Sequence, residues 1–140
     1  MRGKSISEIK IGDFAEHSKT ISEADVYLFA GVTGDFNPAH LNAQEAAHGI
    51  FKERIAHGML SAGLISAVLG MQLPGPGAIY LSQNLKFVAP VKFGDTITAR
   101  AEVVDRNVDR NRITLKTTCI NQEGKVVIDG EAVIMPPKAS

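Results

Sequence analysis

The sequence has a single cysteine, Cys119, among its 140 residues, and it has no tryptophan. One cysteine excludes an internal disulfide, and no cysteines and histidines are grouped at the spacing of a metal site. Cys119 lies in a stretch of alternating apolar residues, so we interpret it as a small core residue. The chain must therefore rely on its own hydrophobic core, and 140 residues are enough to form one.

An excess of charge of either sign is also missing. Lysine and arginine together number 15, aspartate and glutamate together number 15, and the formal net charge is zero. Nucleic-acid binding requires a basic run or a basic face, and the sequence shows no such run. We therefore expect no nucleic-acid partner.

Long hydrophobic runs are absent as well. Residues 1–5 lack the apolar run of a signal peptide, and the most apolar helical stretch, 57–69, is too short to span a membrane. With 44% hydrophobic and 21% charged residues, the composition is that of a globular protein. We expect one domain over residues 1–140, in the cytoplasm and without membrane association.

Hydrophobic periodicity indicates both strands and helices. Alternating segments predict strands at about 13–21, 78–87, 95–106, 111–121 and 125–135. A helix capped by Ser22, a short helix capped by Asn42 and an apolar helix over 57–69 are also predicted. Consecutive antiparallel strands joined by short turns around one buried helix indicate an α+β fold.

The first motif with chemical potential is the stretch from Gly34 to His40. Gly34 ends a helical pattern, and Asn37-Pro38 favours a turn. Asp35 and Asn37 can each accept a hydrogen bond from a nearby backbone N–H group. Taken alone, such a turn is more often structural than catalytic, and so is a single His40. The motif nevertheless places an acid and an imidazole five residues apart.

The second motif is the start of the apolar helix, where Gly58 follows His57. Gly58 has no side chain, so a ligand carbonyl can approach the N–H groups of the first turn, where the helix dipole is positive. Small residues along this helix also favour close packing on a sheet. Acid, imidazole and N–H donors are what acyl chemistry needs. We interpret His57 as a support for the turn, because His40 has the nearby acid, and we expect His17 and His48 at the surface.

Together, the runs 35–41 and 55–60 resemble the MaoC-type (R)-specific enoyl-CoA hydratases, and the resemblance extends from about Ile11 to Met135. It implies a hot-dog fold, in which an antiparallel sheet wraps around a long central helix. It also implies a homodimer with the acyl-CoA site where two sheets join. Fatty acid or polyhydroxyalkanoate metabolism is the implied setting.

The resemblance assigns roles to individual residues. Asp35 and His40 would bind one water, with Asp35 favoured as the base, and Gly58 N–H would hold the thioester carbonyl. Asn37 would fix the turn, and Ser66 would lie beside the acid–imidazole pair in a supporting or pocket role. Water would add to the same face of a trans-2-enoyl-CoA to give the (3R)-hydroxy product, with no metal and no cofactor, because only acid–base chemistry is involved.

Two other functions remain open at this point. The chain could be a thioesterase of the same fold, in which the acid directs water at the carbonyl, or an acyl-CoA-binding protein without catalysis. Leu69 and Ile134 are candidates for the acyl-tail pocket. The cations available for the nucleotide phosphates of coenzyme A are Lys52, Arg54, Lys86, Lys92 and Arg100.

Overall fold

The computed structural model describes residues 2–139. After a 3₁₀ turn at Ile6–Glu8, these residues form five strands and four helices. The order is β1 (Phe14–Thr20), α1 (Glu23–Thr33), α2 (Pro38–Leu41), α3 (Ala43–Ala47), α4 (Gly58–Met71), β2 (Ile79–Phe87), β3 (Thr96–Asn107), β4 (Arg112–Ile120) and β5 (Val126–Met135). All five predicted strands and the three predicted helices are present, and α2 is a single helical turn where the sequence predicted only a turn.

The five strands form one sheet in the order β1-β3-β4-β5-β2, with every neighbouring pair antiparallel. The expectation that consecutive strands are neighbours is correct for β3, β4 and β5 and wrong for β2, which pairs with β5. The reason is the segment after β2, which leaves the sheet. Val91 accepts a hydrogen bond from Ala56 N–H at 2.8 Å, and Lys92 forms an isolated bridge with Ile55.

Helix α4 lies against one face of this sheet, and the contact between them is the hydrophobic core. Its buried side includes Leu64, Ile65, Val68 and Leu69. The strands contribute alternate residues to the same core: Ile97, Ala99, Ala101 and Val103 from β3, Ile113, Leu115 and Cys119 from β4, and Ile128, Ala132 and Ile134 from β5. Each fully buried aliphatic side chain of this size contributes about 1.5–3 kcal/mol. Cys119 is thus a core residue, as predicted.

The opposite side of α4 is not covered by this chain. Met59 is 57% exposed and Met71 is 67% exposed, and Gly63, Ser66 and Gly70 between them are also exposed. The predicted burial of this helix is therefore correct for only one of its sides within one chain, since a single sheet can cover only one side of a helix. The neighbouring edge strand β2 exposes Ile79 and Leu81 as well. This uncovered apolar surface of α4 and β2 is called the open face below.

Helix caps and one left-handed glycine determine the path of the chain around the first motif. Ser22 caps α1, as predicted, and it forms a reciprocal capping box with Asp25. Gly34 ends α1 in a left-handed conformation with φ of 83°, which glycine adopts without steric cost. Asn42 caps α3 through its side chain. The chain therefore turns sharply at Gly34 and brings Asp35 to the start of α4.

No helix within residues 2–139 has the length and apolar character needed to cross a membrane.

Candidate active site

The Asp35 turn is held by short-range side-chain hydrogen bonds. Asp35 N–H donates to Thr33 Oγ1 at 3.2 Å, and Asn37 N–H donates to Asp35 Oδ1 at 3.2 Å. Asn37 Oδ1 in turn accepts from Ala39 N–H at 3.0 Å and caps α2. The Asn37 side chain therefore bonds within the turn and at the start of α2. The exposed Asp35 carboxylate keeps Oδ2 available for a ligand.

His40 lies on α2, and its side chain is held by the segment that precedes α4. Its Nδ1 lies 2.7 Å from the carbonyl oxygen of Ile55. A carbonyl can only accept, so Nδ1 carries the proton, and in the neutral ring Nε2 presents a lone pair. The half-buried imidazole is thus oriented with one nitrogen fixed and the other free to accept a proton.

His57 connects the two parts of the first motif to helix α4. It is 2% exposed, and its Nε2 donates to the Asp35 carbonyl oxygen at 3.0 Å. Its ring stacks on that of His40 with centroids 4.0 Å apart, and Phe29 packs against it at 4.7 Å. The contact with Asp35 agrees with the interpretation of His57 as a support for the turn.

Gly58 begins α4 directly after His57, which makes no side-chain capping bond. The first N–H groups of a helix have no partner within it; Leu60 N–H bonds to the His57 carbonyl at 3.1 Å, and Gly58 N–H comes before it at the helix start. A Cβ atom added at Gly58 would lie 2.6 Å from two ring carbons of Phe87. The absence of a side chain at Gly58 therefore allows the Phe87 ring to lie on the helix start.

A cavity of about 430 Å³ adjoins these groups. His40 and Gly58 both line it, together with apolar residues from four segments. The remaining lining residues are Phe51, Ile55, Ala56, Met59, Ser61, Phe87, Val88, Ala89, Pro90, Val91 and Ile128. A predominantly apolar cavity with an imidazole and a helix N-terminus on its wall suits an acyl group bearing one reactive polar end.

The structure places Ser66 away from His40. Ser66 is two turns further along α4, about 12 Å from Gly58 along the axis. It lines a second cavity of about 320 Å³ between α4 and β2, at the open face, and Met59 lines both cavities. Within one chain, Ser66 and His40 therefore do not share a cavity.

The candidate tail residues belong to the core instead of a cavity wall. Leu69 is 2% exposed and Ile134 is 1% exposed, and both belong to the main hydrophobic cluster. Residues to which the sequence gave no pointer also line the first cavity, among them Phe87 at the end of β2 and Val88 directly after it. Their distance in sequence from Gly58 gave no local signal of this contact.

Several of the candidate cations already have partners. Arg54 pairs with the Glu23 carboxylate and donates to the Tyr27 hydroxyl, and these contacts raise the pKa of its guanidinium, with the Tyr27 hydrogen bond the larger cause. Lys92 lies 3.4 Å from Glu53. Arg100 pairs with Glu102 and Glu16 on the sheet.

Three side chains of the site, those of Asp35, His40 and His57, carry groups that can bind a metal ion. Ligand atoms of Asp35, His40 and His57 lie within 4.8 Å of one another. Both histidines already use one nitrogen on a backbone carbonyl. Because imidazole lone pairs lie in the ring plane, two facing rings 4.0 Å apart do not direct their lone pairs to one point. The arrangement suits proton transfer better than metal coordination.

Comparison with known proteins gives consistent matches over nearly the whole chain. Residues 9–125 match the family model described as MaoC like domain. An (R)-specific enoyl-CoA hydratase of Rhodospirillum rubrum is 58% identical over 130 residues, which cover 93% of this chain and 90% of that protein.

Two solved structures show the same fold at substantial identity. An unliganded R-hydratase of Pseudomonas aeruginosa superposes with a TM-score of 0.92 at 50% identity, covering 98% of this chain and 88% of the other. An (R)-hydratase from A. caviae, described as involved in PHA biosynthesis, gives 0.89 at 44% identity, covering 92% and 98%. The sheet and helix described above therefore have the hot-dog arrangement of those hydratases.

Proposed function

Because the chain belongs to the MaoC-like domain family, we propose that it is an (R)-specific enoyl-CoA hydratase. Such a hydro-lyase adds water reversibly to a trans-2-enoyl-CoA and forms a (3R)-3-hydroxyacyl-CoA. The observation that carries the proposal is the joint placement of Asp35 and His40 next to the Gly58 helix start, with His40 and Gly58 on one cavity wall. A relative of the same name at 58% identity supports it.

Polarisation of the substrate is assigned to the start of α4. The thioester carbonyl would accept a hydrogen bond from Gly58 N–H, where the helix dipole stabilises negative charge. Electron withdrawal by this carbonyl makes C3 of the conjugated double bond electrophilic. A side chain at position 58 would collide with the Phe87 ring, which lines the same cavity, so a substitution here would also alter the cavity wall beside the helix start.

Activation of water is assigned to Asp35 and His40. Asp35 Oδ2 and His40 Nε2 would each accept one hydrogen of the same water, whose oxygen then faces C3. As the C3–O bond forms, the π electrons move toward C2 and the carbonyl, and Asp35 takes one proton from the water. That proton is delivered to C2 on the same face, so the sum of the steps adds H and OH without redox change. No metal or cofactor is required by this scheme, because proton transfer alone balances it.

The scheme is tested with crotonyl-CoA in D₂O. Loss of enoyl absorbance without release of free thiol is expected, and chiral analysis should show the (3R) product with deuterium added on the same face as oxygen. Thiol release at the rate of substrate loss would instead identify a thioesterase. Binding of acyl-CoA without any turnover would identify a binding protein, and an anti product would contradict the shared water.

We also propose that the protein acts as a homodimer on acyl-CoA thioesters in the cytoplasm. The open face supports this, because the edge strand β2 and the small-residue side of α4 present adjacent apolar surface, which a second copy would cover. A second copy would also bring further residues toward Ser66. Sedimentation at micromolar concentration should give twice the chain mass, and a monomer would contradict the proposal.

The A. caviae structure offers a setting for the product, since that hydratase is described as involved in PHA biosynthesis. We propose that this chain likewise supplies (3R)-3-hydroxyacyl-CoA to polyhydroxyalkanoate or fatty acid metabolism. Deletion of the coding sequence should then lower polymer content in cells grown on fatty acids.

A further inference from the structure

Two polar side-chain atoms are buried without a hydrogen-bond partner within residues 2–139. They are Nδ1 of His57 and Oγ of Ser61. His57 is 2% exposed and Ser61 is fully buried. Buried polar atoms are nearly always paired, so two of them near one helix start require an explanation.

The hydrogen bond to Asp35 determines which tautomer His57 adopts. The Asp35 carbonyl can only accept, so the proton lies on Nε2 of His57, and Nδ1 of the neutral ring is an acceptor. Ser61 Oγ–H is a donor. His57 is the N-cap residue of α4 and Ser61 lies one turn into the helix, so both side chains are buried at the same helix start. The unpartnered atoms are therefore a matching acceptor and donor.

We infer that His57 is a positioning residue of the hydration site and that Ser61 holds it in the Nε2–H tautomer. Ser61 Oγ–H donates to His57 Nδ1, either directly after rotation about its Cα–Cβ bond or through one bridging water. Nε2–H then stays on the Asp35 carbonyl, and the ring stays stacked on His40. This inference rests on the proposed hydratase function.

One residue thereby connects three parts of the chemistry. His57 binds the backbone of the acid, stacks on its imidazole partner and immediately precedes the Gly58 N–H. Asp35 is exposed, and the bond to His57 ties its backbone to a buried group. Loss of that bond would let the carboxylate drift from the water it shares with His40, and misplacement by about 1 Å can cost 10²-fold in rate.

The test compares two amide substitutions of His57. The amide nitrogen of Gln lies about as far from Cα as Nε2 of histidine does. The amide nitrogen of Asn lies only about as far from Cα as Nδ1 does. We expect His57→Gln to retain kcat within about threefold, and His57→Asn and His57→Phe to lose about 10- to 100-fold with little change in KM. Equal loss of kcat in folded Gln and Asn variants would overturn the positioning role.

The contribution of Ser61 is tested by a double-mutant cycle. Ser61→Ala should lower kcat about 3- to 10-fold in the wild-type background, but less than about twofold in His57→Phe, because its effect passes through the imidazole. Additive losses in the two backgrounds would show that Ser61 acts independently of His57.

The His57 tautomer can also be measured by NMR, independently of catalytic activity. In the ¹⁵N-labelled protein, imidazole nitrogen shifts should show His57 protonated at Nε2 and bare at Nδ1, and Ser61→Ala should move the Nδ1 signal. A proton on Nδ1 would overturn the inference. Failure of the wild type to hydrate crotonyl-CoA would contradict the proposed function while leaving the tautomer result intact.

Discussion

Nδ1 of His40 lies 2.7 Å from the carbonyl oxygen of Ile55, fifteen residues further along the chain. This bond ties helix α2 to the segment that leads into α4 and forces the His40 proton onto Nδ1. Nε2 is left as the acceptor on a ring that lines the cavity. The same two segments are joined a second time by His57 and the Asp35 carbonyl. Two histidine–carbonyl bonds thus fix the geometry between acid, imidazole and helix start.

Removal of either proton-handling group should lower the rate of hydration strongly. Asp35→Asn and His40→Ala are each expected to reduce kcat by about 10²- to 10⁴-fold, the usual contribution of a positioned acid or base. Asp35 is exposed and His40 half-buried, so circular dichroism and thermal melting should show a folded protein. Asp109→Asn and His48→Ala, both at exposed positions, are matched controls that should keep wild-type kcat. Normal turnover by a folded Asp35→Asn variant would contradict the mechanism.

Substitution of Gly58 by alanine should reduce catalysis more than it reduces stability. In Gly58→Ala the new Cβ would meet the Phe87 ring at 2.6 Å, but Phe87 is 53% exposed and can rotate outward. We expect a loss of stability below about 2 kcal/mol, together with a marked fall in kcat/KM for crotonyl-CoA. Denaturant unfolding and steady-state kinetics measure the two effects. Unchanged kinetics would contradict the placement of the thioester carbonyl at the helix start.

Two helical glycines provide a paired test of the open face. Gly31 in α1 and Gly63 in α4 each have open space around an added Cβ within one chain. Gly31→Ala should therefore stabilise the protein by about 0.5–1 kcal/mol through helix propensity. Gly63→Ala should instead weaken self-association, since a second copy would approach this side of α4. Sedimentation and concentration-dependent melting distinguish the two, and equal stabilisation by both would argue against a covered face.

Cys119 should be unreactive in the folded protein. Burial raises the pKa of its thiol to about 12, so at pH 8 only about one part in 10⁴ is thiolate, the reactive form. Labelling with Ellman's reagent should be slow in native buffer and stoichiometric in guanidinium. Rapid labelling of the native protein would show that β4 opens easily.

The capping box of α1 should make stability depend on pH below neutrality. Hydrogen bonding from Ser22 N–H, and more weakly from Lys19, holds the pKa of Asp25 below its usual value. A depressed carboxyl pKa stabilises the fold above the unfolded-state pKa, and this contribution is lost as pH falls through the lower folded-state value. Asp25→Asn should cost about 1 kcal/mol at pH 7, with the difference from wild type shrinking toward pH 3. A stability difference between wild type and Asp25→Asn that stays constant from pH 7 to pH 3 would contradict this role of the carboxylate.

Sequence reasoning found the parts of the site whose signals are local. Gly34, Asn37 and Pro38 describe a turn through their own backbone preferences, so the positions of Asp35 and His40 followed. Caps at Ser22 and Asn42 and strand alternation placed the helices and strands within one or two residues. These features depend on neighbours only a few positions away.

What the sequence did not show depends on contacts between distant segments. The pairing of β2 with β5, and the contact of Phe87 with Gly58, join residues that no periodicity relates. The buried position of Ile134 and the separation of Ser66 from His40 follow from which side of α4 the sheet covers. Apolar composition alone does not specify that side, because α4 is apolar almost all round.

The position of β5 bears on where this protein can be cut or fused. The region matched to the family model ends at residue 125, one residue before β5 begins, although β5 lies between β4 and β2. A chain trimmed at that boundary would keep Asp35, His40 and Gly58 but would deprive β2 of its neighbour and turn β4 into an edge. The family model ends before β5, whereas the hydrogen-bonded sheet includes this strand. A fusion partner joined at residue 125 in place of β5 would therefore disrupt the sheet.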